Sequence, residues 1–108
     1  MTYDEVLARY DELVNRSPRF ERKGKTMPYT SANGHMFSLL NKAGELGFRY
    51  AKPVQEKYIE AWESTIFKSY GAVMRGYVRV PEAMFDDMDR LVELLNESYD
   101  YVMTLEPK

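Results

Sequence analysis

A chain of 108 residues, 44% of them hydrophobic and 30% charged, can bury one modest core and has no length for a second, so a single domain over residues 1–108 is expected. This balance excludes the disordered class, no apolar run approaches the ~20 residues that a bilayer span needs, and a cysteine count of zero excludes disulfides and thiolate chemistry. The formal net charge of -2 hides a segregation, because Asp4, Glu5, Asp11 and Glu12 at the start and the acids of residues 80–108 enclose a basic middle. Such a centre suits a polyanion site or, more simply, a basic sheet neutralised by acidic helices.

Thr2 and Glu5 form a Thr-x-x-Glu capping box, which predicts a helix from the outset. Tyr3, Val6, Leu7, Tyr10, Leu13 and Val14 give that helix one apolar face, and Ser17-Pro18 ends it because the residue before proline leaves the α region. The first ten residues lack a basic segment followed by an apolar one, so no signal peptide is expected and a cytoplasmic location fits. Arg16, Arg19, Arg22, Lys23 and Lys25 follow in a connection that reads as a solvated loop or a charge-guarded edge strand, with phosphate binding as the rival reading.

Asn33-Gly34 is the dipeptide that best tolerates positive φ at both central positions of a tight hairpin, so residues 27–32 and 35–41 are expected to pair around it. Strict alternation sets Phe37 and Leu39 on one face and Met36, Ser38 and Leu40 on the other. After a turn at Lys42-Ala43-Gly44, residues 45–50 form a third strand, in which Leu46, Phe48 and Tyr50 alternate with Glu45, Gly47 and Arg49. Pro53 suits the first helical position, and Val54, Tyr58, Ala61 and Trp62 share one face of a short helix ending near Glu63-Ser64. Two more strands are expected at 65–70 and 73–80, joined at Gly71-Ala72. Val80-Pro81-Glu82 then opens one long helix to about Leu105, with Glu82, Asp86 and Asp87 where the dipole favours anions. The expected fold is α+β: a two-layer sandwich with a five-stranded, mostly antiparallel sheet, helices on one face, and the order α-β-β-β-α-β-β-α.

The lone His35 has no cysteine or histidine cluster to complete a metal site, and Asp86, Asp87 and Asp89 fit neither a calcium loop nor a fixed catalytic pair. Gly24-Lys25-Thr26 lacks the upstream glycine of a phosphate-binding loop, and no serine or threonine has a base linked to it by a motif. No catalytic residue, metal ligand or cofactor is therefore expected. The face turned from the helices offers more, because Arg49, Arg75, Tyr77 and Arg79 should point outward there beside Glu45. Arg and Tyr anchor protein interfaces, and the same mixture, helped by Arg19, Arg22 and Lys23, suits single-stranded nucleic acid.

Gly34-His35-Met36-Phe37-Ser38-Leu39-Leu40 resembles the "G-x-M-F-A-L" strand of the N-terminal domain of the TfoX/Sxy proteins, bacterial regulators linked to competence. Leu46-Gly47-Phe48-Arg49 stands where that family has "L-Y-L-K", and Tyr77-Val78-Arg79-Val80-Pro81-Glu82 is similar to its "Y-x-x-V-P-E". Met27-Pro28-Tyr29-Thr30 departs from the family's "M-F-G-G". More loosely, the chain resembles the YjbR and YdhG small-protein groups. The resemblance implies the same order of elements and carries over no catalytic residues. The expected function is a small cytoplasmic interaction module, regulatory in setting, acting through a protein partner or as a homodimer and without a membrane. Nucleic-acid binding through the basic sheet face is the alternative, and a small-ligand binder or enzyme without a recognisable motif is the third reading.

Overall fold

In the computed structural model, which describes residues 1–108, the first helix starts as its capping box dictates. Thr2 accepts from the Glu5 N–H, the Glu5 carboxylate accepts from the Thr2 N–H at 2.9 Å, and α1 runs Tyr3–Asn15. The strands β1 (Tyr29–Ala32), β2 (His35–Leu40) and β3 (Leu46–Arg49) form the meander. Then come α2 (Lys52–Ala61), the hairpin of β4 (Ile66–Ser69) and β5 (Ala72–Arg79), a 3-10 helix (Glu82–Asp86) and α3 (Met88–Met103). The sheet order is β1-β2-β3-β5-β4, and every pairing is antiparallel. The α+β sandwich and its order of elements are as the sequence implied.

Two irregularities reassign faces that strict alternation had fixed. Thr30 pairs with Ser38 but Ser31 pairs with Met36, so Phe37 is the extra residue of a β-bulge. The bulge turns Phe37 inward together with Leu40, while Leu39 goes to the opposite face, contrary to the expected pairing of Phe37 with Leu39. In β5 the register shifts between the partners of Ile66 and Lys68, and Gly76 takes φ +82 within that interval. The hairpin turn falls at Tyr70-Gly71, one residue earlier than expected, with φ of 53 and 74.

The long terminal helix is two pieces. Asp87 adopts an extended φ of -119, and its side chain accepts from the Arg90 N–H at 3.1 Å, so it caps α3 and ends the 3-10 turn before it. Asparagine and hydroxyl side chains then lock α3 to the sheet. Asn33 of the hairpin turn donates to the Val102 and Leu105 carbonyls at 3.0 and 2.8 Å, satisfying the helix's C-terminal end. Ser98 donates to the Phe37 and Arg49 carbonyls.

All three helices pack on one sheet face around a cluster of 18 buried residues, among them Tyr10, Phe37, Phe48, Val78 and Leu94. Phe37 sits within it edge-on to both Phe20 and Tyr99. Buried hydroxyls in this layer are paired: Tyr10 with Ser38 at 2.5 Å, Ser38 with Thr30, and Tyr50 donating to the Leu94 carbonyl at 2.8 Å. The other face carries a smaller cluster of Leu39, Phe67 and Tyr77, flanked by Met27, Tyr29, Met36 and Met74. Gly47 makes room for it, since a Cβ there would lie 2.6 Å from the Phe67 ring.

Candidate functional site

The sheet opens where β3 ends. β2 meets β3 only from Ser38 onward and β5 meets β3 only up to the Arg49–Tyr77 pair, so residues 35–37 and 72–76 continue with no strand between them. β3 stops because the chain must turn into α2, which carries Pro53 in its first turn. Tyr50 still donates its N–H to the Gly76 carbonyl at 2.9 Å, and a Cβ on Gly76 would meet the Tyr50 carbonyl at the same distance, so glycine permits this close approach. The result is a cleft made of two adjoining hollows of about 540 and 350 Å³.

Arg49 and Arg75 line both hollows, and Lys52 lines the one toward α2. No Asp or Glu lines either. Neither arginine belongs to any of the ion pairs of the molecule. The Arg49 guanidinium lies 5.8 Å from the Tyr101 ring centroid, and half-exposed Val73 adds an apolar wall. α2 reinforces the positive field: Ala51 caps it without a side-chain bond, its first turn holds no acid, and Lys52 is its first residue. Gln55 Nε2 donates to the Tyr77 carbonyl at 3.0 Å and fastens the helix to β5 beside the cleft.

The remaining candidate residues lie elsewhere or are occupied. Arg79 pairs with Glu45 at 3.1 Å and lines a separate hollow with Glu63 and Glu82. Arg19 pairs with Asp100 and covers the Tyr99 ring, while Arg22 pairs with Asp11 at 2.5 Å and donates to the Gly24 carbonyl. Lys23 exchanges backbone hydrogen bonds with Tyr29 at the β1 edge, a structural task. His35 holds the tail through Nε2 and the Glu106 carbonyl at 2.8 Å, at the cleft rim.

Tyr77 departs most from expectation. It lies on the open face, as alternation requires, but its ring is only 3% exposed and stacks on Phe67 with centroids 5.8 Å apart. The irregular pairing of β4 with β5 lays Phe67 across the sheet, so Tyr77 is no exposed stacking platform. Burial pushes its phenol well above the ordinary tyrosine value, with the Arg49 charge pulling the other way, and it remains a protonated donor at neutral pH. Its hydroxyl is the buried side-chain polar atom without a hydrogen-bond partner.

Sequence reasoning thus reached Arg49 and Arg75 and missed Lys52. A signal for Lys52 existed, because a cation in the first turn of a helix opposes the dipole and needs another reason to stand there. No helix is long and apolar enough to cross a membrane. Set against known proteins, the chain matches no family model and no curated protein.

Proposed function

We propose that this protein is a binding module that acts through protein contacts, receiving an acidic segment of a partner in the cleft at the end of β3. The observation that carries this reading is the convergence of Arg49, Lys52 and Arg75 on a cleft with no Asp or Glu, in a molecule where Arg16, Arg19, Arg22, Arg79 and Arg90 are paired with acids and Arg9, on the exposed side of α1, is the one other arginine outside an ion pair. Guanidiniums left without carboxylates in a concave site favour a carboxylate brought from outside. Val73 and the Tyr101 ring favour a peptide, which supplies apolar side chains beside its acids.

Nucleic acid is the weaker reading, because Tyr77 is stacked beneath Phe67 and Arg19 and Arg22 are held by acids. A regulatory role in a bacterial cytoplasm and kinship with the TfoX/Sxy N-terminal domain belong to the same proposal, supported by the motifs on β2, β3 and β5 and by the order of elements.

The test is fluorescence anisotropy with a labelled acidic, aromatic-containing peptide and a single-stranded oligonucleotide of equal length. Peptide binding should weaken as salt is raised and vanish in the Arg49→Glu, Arg75→Glu double variant. A peptide that stays unbound at low ionic strength, or an oligonucleotide that binds more tightly, overturns the proposal.

A further inference from the structure

The buried hydroxyls of this fold are paired with one exception. Tyr10, Thr30, Ser38, Tyr50 and Ser98 all have partners in the layer between sheet and helices, whereas Tyr77 Oη on the other face has none. Phenylalanine at this position would keep the stacking on Phe67 and remove the desolvation penalty of an unmatched O–H. A donor kept under those conditions points to an acceptor from outside the chain.

The position of Tyr77 narrows what that acceptor is. It lines the cleft with Arg49, its cross-strand partner, and with Arg75. We propose that the Tyr77 O–H, Arg49 and Arg75 form an oxyanion subsite, the hydroxyl donating to one oxygen while the guanidiniums neutralise the charge. This rests on the binding-module reading and names its ligand group: a side-chain carboxylate of the acidic segment. A hydrogen bond to an ionised acceptor is stronger than one to a neutral group, which suits a donor otherwise left unmatched. Met36 and Met74 both line the cleft and pack on the cluster of Tyr77. Unbranched and adaptable, they are the side chains that shift to admit the ligand. The uncapped start of α2 adds its positive end to the adjoining hollow.

The experiment follows the Tyr77 ring and the Arg49 and Arg75 amides by NMR while the same acidic peptide or inorganic phosphate is added to the wild type, and repeats the peptide titration with Tyr77→Phe. Resonance shifts centred on Tyr77, with about tenfold weaker peptide binding in Tyr77→Phe and an unchanged or raised Tm, support the subsite. Equal peptide affinity in the two proteins overturns the role of the hydroxyl and leaves the acidic-peptide reading standing. Phosphate shifts at Tyr77 and both arginines without any peptide binding support the subsite and overturn the peptide as its source. Silence with both probes overturns both proposals, and a lowered Tm in Tyr77→Phe overturns the subsite by showing an internal partner for the hydroxyl.

Discussion

The two faces of the sheet bury apolar side chains under different rules. Toward the helices, 18 residues form one cluster whose hydroxyls are all matched, Tyr10 by Ser38, Tyr50 by the Leu94 carbonyl and Tyr58 by the Glu97 carboxylate, and the Tyr10–Ser38–Thr30 chain crosses from α1 into the strands. Away from the helices, Leu39, Phe67 and Tyr77 make a thin second cluster, with an unmatched hydroxyl and two unpaired arginines beside it. The first arrangement is what a fold needs for uniqueness, since a matched polar network tolerates few alternative packings. The second leaves polar capacity open at the one place where the sheet parts.

The largest break in this contrast should come from Phe37→Ala. Phe37 is fully buried in the large cluster between Phe20 and Tyr99, and removing its ring should lower stability by about 3–5 kcal/mol in a urea titration. A loss no greater than that of an exposed site would deny that the bulge turns Phe37 into the core. The small cluster should answer less strongly to Gly47→Ala. The added methyl meets the Phe67 ring at 2.6 Å, and a loss of about 1–3 kcal/mol is expected, with altered aromatic signals from Phe67 and Tyr77. An unperturbed Phe67 would show the second cluster to be loose.

The smallest effects discriminate best between the two faces, because one substitution should cost stability on one face and none on the other. Tyr10→Phe removes the end of a buried hydroxyl chain and should destabilise by about 1 kcal/mol. Tyr77→Phe removes a hydroxyl with no partner and should be neutral or stabilising by up to about 1 kcal/mol. Equal losses in paired thermal and denaturant melts would erase the distinction between the faces.

Much of the fold was legible in local pattern. The capping box at Thr2 and Glu5, the Asn33-Gly34 turn and the proline at the start of α2 act through neighbours a few residues away, and each element formed near its expected place. Where alternation misled, an extra residue intervened: the bulge at Phe37 obeys pairing with Thr30 and Ser31, which its own neighbours do not encode. The 3-10 turn before α3 was hidden for a related reason, since Glu82, Asp86 and Asp87 suit the start of one helix as well as a break capped by Asp87.

Local pattern was enough for the order of elements, the antiparallel sheet with helices on one face, and the presence of arginines on the strands turned outward from them. Which basic groups remain free depends on long-range packing. Arg19 meets Asp100 and Arg16 meets Asp89 across most of the chain, and such pairings depend on where distant helices dock. Tyr77 was buried by the same kind of event, with Phe67 laid over it by an irregular register. Secondary structure follows from short-range sterics and hydrogen bonding, whereas charge pairing and burial follow from packing. Only once α2 and β5 had closed on the end of β3 did Arg49, Lys52 and Arg75 become one site.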